Sequence, residues 1–217
     1  MSFDEGESTV SNHPYDQKIK IMIIGESLVG KTALITKYTK NTFGGAYLTT
    51  VGIDFQDKFL NINGKEIKIE LWDTAGQERF RNIAKNYFQS SDGFLLVYDL
   101  TKKSSFENLE FWNTQINLNA PKETKYILVG NKKDLENQRE VQIEEGEDFA
   151  KKNNIKFFET SAKDGTNVIN VFETLAKEIV NDVEQINTRS KRSSQVLKKK
   201  NATEEKKYML LNNKKFN

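Results

Sequence analysis

One short stretch, Gly25-Glu26-Ser27-Leu28-Val29-Gly30-Lys31-Thr32, limits what this chain can fold into more than any other part of it, because it fits the pattern G-x-x-x-x-G-K-[ST]. Ahead of it, Ile19, Ile21, Met22, Ile23 and Ile24 make a short, nearly continuous apolar run, the pattern of a strand covered on both faces. Helical spacing follows from about Lys31 to Thr39. A strand, a glycine-bounded turn and a helix form the setting in which this pattern cradles phosphate. Gly25 and Gly30 let the backbone curl, and the N–H groups from Glu26 to Ala33 at the helix N-terminus face negative charge. Lys31 then reaches the outer phosphates and the Thr32 hydroxyl offers an oxygen to Mg²⁺.

The remaining elements fit that start. From Ile53 to Trp72 apolar and polar residues alternate on both sides of Asn63-Gly64, a dipeptide suited to a tight hairpin turn, so an antiparallel strand pair is expected. Three further apolar strands lie at residues 94–98, 126–129 and 155–158, separated by helical stretches near 104–119, 142–153 and 166–186. Strands alternating with helices predict an α/β fold of three layers. Its sheet is six-stranded and mostly parallel, with one antiparallel edge strand and helices on both faces. Residues 1–16 are polar and read as a disordered leader, with His13 a solvated loop residue; residues 17–186 read as the folded domain.

Composition removes several chemistries. The 217 residues include no cysteine, which excludes disulfides, thiolate metal sites and a cysteine nucleophile. The single histidine, His13, sits in the leader, away from any expected site. No apolar run is long enough to cross a bilayer, and a cytosolic address is the simplest expectation.

A phosphate loop leaves kinases, ATPases and GTPases open, so the residues facing the base must decide. Asn131-Lys132-Lys133-Asp134 follows a strand, and ligands in such sheets sit beyond the carboxyl ends of the strands. A carboxylate there accepts from both N1–H and the 2-amino group of guanine, two donors that adenine lacks. That makes Asp134 the expected specificity residue. Ser161-Ala162-Lys163 follows the last strand, where a backbone N–H can meet the guanine 6-oxo group. Between these motifs lies Asp73-Thr74-Ala75-Gly76-Gln77-Glu78. Asp73 can hold Mg²⁺ through water, the Gly76 N–H can approach a γ-phosphate, and Gln77 can orient the attacking water.

Together these motifs resemble the Ras superfamily of small GTPases over about residues 17–186. Val51-Gly52-Ile53-Asp54-Phe55 and the run from Trp72 to Phe80 resemble its Rab branch. The resemblance implies a small G-protein fold, Mg²⁺ and GTP/GDP as ligands, and slow hydrolysis by a switch that regulates vesicle traffic. It assigns Thr50 to sensing Mg²⁺ and γ-phosphate, Phe43 to stacking on guanine, Gln77, Lys31 and Thr50 to catalysis, and Leu135 to the nucleotide. Val51–Phe55, Trp72 and Tyr87 become effector contacts by the same implication, while the plain reading of the aromatics is core or hairpin packing. Exchange factors, activating proteins and effectors of the Rab type are the expected partners, and a monomer the expected state. A non-hydrolytic binding module and a P-loop kinase for a small metabolite are the rival readings.

Two features depart from the Rab pattern. Leu28 stands where that loop usually has a smaller or polar residue. The prenylated cysteines that generally end Rab proteins have no counterpart among these residues. Residues 187–217 instead carry 10 Lys/Arg against 2 Asp/Glu, whereas residues 1–186 carry 23 against 29. Such a basic, flexible tail can meet anionic lipid, nucleic acid or an acidic partner, or simply aid solubility. Transient contact with the cytosolic face of an endomembrane, or none, is the expectation, and nucleic acid is not an expected partner.

Overall fold

The computed structural model describes residues 13–44, 53–74, 87–122 and 124–185. The chain divides into two compact units, residues 1–177 and 178–217, and the described residues of the second, 178–185, are helical. The first unit is built on a six-stranded sheet comprising β1 (Gln17–Ile24), β2 (Ile53–Ile62), β3 (Lys65–Thr74), β4 (Gly93–Asp99), β5 (Lys125–Asn131) and β6 (Lys156–Thr160). Their order across the sheet is β2-β3-β1-β4-β5-β6. Only the β2–β3 pair is antiparallel; the other pairings are parallel. The expected architecture, with its antiparallel edge strand, is the one observed.

Residue chemistry explains these positions. All seven residues of β4 are buried, as a central strand between two helix layers requires. In β3, Ile67, Ile69 and Leu71 are buried while their neighbours are more open, the alternation of a strand near an edge. Asn63 and Gly64 take positive φ values of 54° and 79°, which turns β2 into β3 in two residues.

Helices cover both faces. Met22 and Ile24 of β1 join Leu96, Tyr98 and Leu128 in one apolar cluster, together with Leu109, Trp112 and Ile116 of a helix over Leu109–Asn119. Ile21 and Ile23 point the other way and are equally buried. Helix α1 (Lys31–Lys40) contacts β2 and β3, and its Tyr38 ring stacks on Phe172 with centroids 4.4 Å apart. Phe172 lies in the helical run 168–177, whose buried Val168, Val171, Phe172, Leu175 and Ala176 recur at helical spacing.

Two details differ from the sequence expectation. The helix expected near 104–119 is two helices, α2 (Lys103–Glu107) and α3 (Leu109–Asn119), followed after β5 by α4 (Ile143–Lys152). At the joint the hydrogen bonds Asn108 N–H to Ser104 O and Trp112 N–H to Asn108 O stretch to 3.3 and 3.4 Å. Buried Ser105 pins α2 by donating to Lys102 O at 2.7 Å and accepting from Asp99 N at 3.0 Å, and α3 restarts after Asn108 with Trp112 buried. Residues 13–16 also depart from the disordered leader expected of them. Asp16 and Glu66 exchange two hydrogen bonds of 2.8 Å, and the His13 ring packs edge-on to Phe59 at 4.4 Å. An aromatic contact and backbone pairing give residues 13–16 a defined place that their polar composition hides.

Candidate functional site

The phosphate loop leaves β1 at Gly25 and enters α1 after Gly30. Gly25 has φ +141°, and a Cβ there would lie 2.1 Å from the carbonyl oxygen of Val97 on β4. Gly30 has φ +97°, and a Cβ there would lie 2.4 Å from the Asn131 side-chain nitrogen. Both glycines are thus required by close approach as well as by backbone angle. Leu28 is also left-handed, at φ 70°, a conformation costing a non-glycine residue about 1 kcal/mol, and its side chain is half exposed. The sequence marks its bulk but not its strain.

Lys31 is buried, and its ammonium donates to the carbonyls of Gly25 at 3.0 Å and Glu26 at 2.8 Å. Burial lowers its pKa from 10.5 to about 8, a shift that the nearby carboxylates of Asp73 and Glu26 only partly offset. Next to it, the Thr32 hydroxyl donates to Asp73 Oδ2 at 2.6 Å. Asp73 lies one residue before the end of β3, beside Ile23 of β1, and the last residue fixes the junction, since Thr74 Oγ1 donates to Ile23 O at 2.7 Å. Two neutral or anionic oxygens side by side form a donor set suited to a hard cation rather than a soft one.

At the other end, Asp134 follows β5 in a 3₁₀ turn over Lys133–Gln138. Its Oδ1 accepts from the Ser161 hydroxyl at 2.7 Å, and Lys163 Nζ stands 3.8 Å from Oδ2. Ser161 joins the two base-facing segments that the sequence placed apart. Asn131 proves to be a brace: its Nδ2 donates to Val29 O at 2.9 Å, and its Oδ1 accepts from Thr160 Oγ1 at 3.1 Å and Ala162 N at 3.4 Å. It ties the phosphate loop to both base-facing segments. Lys132 turns back at φ 73° to pair with Asp99 at 2.6 Å.

Between these ends lies a cavity of about 520 Å³, within the usual range for a small-molecule site. Leu28, Gly30, Thr32 and Ala33 line one side, Asn131, Lys132, Asp134 and Leu135 the other, with Ala162 and Lys163 alongside. Phe43, half exposed, stands at its edge. The lining draws on the phosphate loop, on Phe43 and on the segments at 131–135 and 161–163, while the expected residues Gly25, Glu26, Ser27, Val29 and Ser161 are not part of it. Lys31 and Asp73 lie outside the lining itself and reach it through the loop and Thr32. Thr50, Val51, Gly52, Gly76 and Gln77 lie outside the described residues. Phe55, Trp72 and Tyr87 form a separate aromatic row, with centroid spacings of 6.4 and 4.9 Å, away from the cavity. Trp72 and Tyr87 pack on the core and Phe55 is largely exposed, so the row is part packing and part surface. Asp54 is exposed and accepts from Phe55 N at 2.9 Å, while Ile53 pairs with Thr74.

Sequence reasoning passed over Arg139. Its guanidinium forks onto Glu159 of β6 at 2.6 and 3.0 Å and onto Glu136 at 2.7 and 2.8 Å, clamping the 3₁₀ turn that carries Asp134 against the strand that leads to Ser161. A buried Glu159 next to an arginine twenty residues earlier has no local pattern to betray it.

Comparison with known proteins decides the family, for the Ras family profile matches residues 20–181. This chain belongs to the Ras family. Among the relatives of this Ras-family chain, Ras-related protein Rab-13 of Canis lupus familiaris is 46% identical over 154 residues, covering 71% of this chain and 76% of that one. The GTP-binding protein ypt2 of Schizosaccharomyces pombe is 43% identical over 159 residues, 73% and 80% of the two chains. Ras-related protein Rab-26 of Homo sapiens is 44% identical over 155 residues, 71% and 60%. These relatives put it in the Rab branch. It is a small GTPase that binds guanine nucleotide, hydrolyses GTP and acts as a switch in membrane traffic with regulators and effectors.

Lys31 gives this GTPase a titration signature. Between pH of about 8 and 10.5 the unfolded chain holds a proton that the folded, ligand-free site has released. Lys31 therefore contributes stability that is present above 10.5 and lost as pH falls through about 8. Phosphate beside the ammonium reverses the depression. GDP binding at about pH 8.5 is expected to take up most of a proton, and at about pH 7, still above the terminal phosphate's own titration, only about a tenth of one. Calorimetry in buffers of different ionisation enthalpy measures that number.

Proposed function

We propose that GTP lies along the 520 Å³ cavity with its base at Asp134 and its phosphates in the loop closed by Lys31, and that this arrangement runs the hydrolytic switch. The observation that carries the reading is the position of Asp134, oriented by Ser161 at 2.7 Å at one end of a cavity whose other end is the glycine-bounded loop. Phe43 at the edge stacks on the purine. Leu135 and Ala162 pack beside the base, and Lys163 and Lys132 flank it. The paired oxygens of Thr32 and Asp73 fit Mg²⁺, and Thr32, Asp73 and Thr50 would hold it. The metal supplies charge stabilisation on the β- and γ-phosphates.

Gln77 orients a water for in-line attack on the γ-phosphorus, and Lys31 stabilises charge on the phosphoryl oxygens. Release of phosphate removes the group that Thr50 and Gly76 sense, which is what resets the switch. Effectors read the chain at Val51–Phe55, Trp72 and Tyr87. No arginine occurs in the phosphate loop or in residues 41–54, so turnover waits for a partner's arginine, worth roughly 10³–10⁵-fold. The protein works as a monomer in the cytosol and touches anionic endomembrane transiently through residues 187–217, each basic residue near the leaflet adding about 1 kcal/mol, screened by salt.

Single-turnover hydrolysis tests this reading. The unaltered protein is expected to cleave bound GTP at on the order of 10⁻³ s⁻¹ or slower, and Gln77→Leu to slow it about tenfold or more. Equal rates for the two, or no cleavage by either, would refute the assignment of Gln77 and favour a non-hydrolytic module.

A further inference from the structure

Arg139 uses every donor it has. Its Nε donates to Glu136 Oε1 at 2.7 Å, Nη1 to Val141 O at 3.0 Å and Glu159 Oε1 at 2.6 Å, and Nη2 to Glu136 Oε2 at 2.8 Å and Glu159 Oε2 at 3.0 Å. A guanidinium holds its N–H groups in one rigid plane, so a full set of bonds leaves it a single orientation. The contact to β6 is also withdrawn from water, with the Arg139 side chain 11% exposed and that of Glu159 4%. Salt and solvent weaken such a pair far less than one on an open surface. Lys133 adds a second contact to Glu159, at 3.4 Å, from a more open side chain.

The two segments that the guanidinium joins are those that face the base. Glu136 lies in the 3₁₀ turn two residues after Asp134, and Glu159 lies on β6 two residues before Ser161. The sheet fixes Glu159, which stands opposite Gly130 in the β5–β6 register. We propose that Arg139 is a positioning residue for guanine specificity: it holds the turn against β6, so that the Asp134 carboxylate keeps its bond from Ser161 and meets both N1–H and the 2-amino group of the base. The inference rests on the placing of the base at Asp134 proposed above. Hydrogen bonds weaken steeply once bent, so a turn that slips against β6 spoils a two-point contact more than a one-point contact. Inosine diphosphate supplies the comparison, because its base keeps N1–H and the 6-oxo group and lacks only the 2-amino group.

The test uses the full chain and measures affinities for GDP and inosine diphosphate, with thermal unfolding alongside. The unaltered protein is expected to prefer GDP by about tenfold or more, the worth of one hydrogen bond to a charged group. Arg139→Lys keeps a cation beside buried Glu159, so the fold is expected to survive, but one ammonium cannot fork onto two carboxylates. Glu159→Gln keeps the shape and removes the charge that both Arg139 and Lys133 hold. Each change is expected to cut the preference for GDP by about threefold or more, with GDP losing most of the affinity. A merely structural role would not move that ratio, since a smaller folded fraction lowers both affinities by the same factor. Glu136→Gln alters a bond that stays within the turn and is expected to leave the ratio within about twofold. An unchanged ratio in either Arg139→Lys or Glu159→Gln, or an equal shift from Glu136→Gln, would overturn the proposal. Equal affinity of the unaltered protein for the two nucleotides would overturn the placing of the base at Asp134, and the proposal with it.

Discussion

Gly25→Ala is expected to cost about 3–5 kcal/mol of folding stability, a large share of the roughly 5–15 kcal/mol that holds a domain together. The new Cβ would meet the Val97 carbonyl oxygen at 2.1 Å and its carbon at 3.1 Å. Val97 is fully buried on the central strand β4 and paired with Val129 of β5, so its carbonyl has little room to retreat. A φ of +141° adds strain of its own, because L side chains rarely adopt it. Gly64→Ala is the informative comparison: it also has positive φ, at 79°, but a Cβ there meets nothing within 4 Å. That change is expected to cost only about 1 kcal/mol. Thermal unfolding separates the two, with a fall of roughly 10 °C for Gly25→Ala and a few degrees for Gly64→Ala. Comparable shifts would mean that the Val97 contact yields.

The contrast between those glycines shows what a sequence conveys and what it withholds. β1 is readable because it is apolar on both faces, and the β2–β3 hairpin because Ile67, Ile69 and Leu71 alternate with polar residues after Asn63-Gly64. Local periodicity follows from which faces are buried, and it survives in one dimension. The segments of the site are readable for a similar reason, since each motif follows the end of a strand and the parallel order β1-β4-β5-β6 brings those ends together. Interactions among the segments leave no such trace. Asn131 holding Val29 across 102 residues, Arg139 clamping Glu159 across 20, and Trp112 anchoring Glu26 across 86 are set by three-dimensional proximity alone. The break at Asn108 escapes notice because both halves keep helical composition. It arises from Ser105 bonding to the end of β4, which a helical wheel does not contain.

Asp134→Asn is expected to have the largest effect on ligand choice. The Asp134 carboxylate is held by two neighbours, Ser161 at 2.7 Å and Lys163 at 3.8 Å, so the side chain cannot swing aside to suit a different base. An asparagine keeps one acceptor for Ser161 and turns the other oxygen into an N–H donor. Set against guanine, that donor faces the base's own N–H groups, and two charge-assisted hydrogen bonds disappear. At about 1.5–3 kcal/mol each, their loss corresponds to roughly 10²–10⁴-fold in affinity. Xanthine carries a 2-oxo group where guanine has its amine, so the same donor finds an acceptor. Competition binding of GDP and xanthosine diphosphate to the unaltered and Asp134→Asn proteins is therefore the decisive measurement. A reversal of preference, with GDP weakened by at least about a hundredfold and the xanthosine nucleotide strengthened, is the predicted result. Undiminished preference for GDP in the variant would contradict the placing of the base at Asp134.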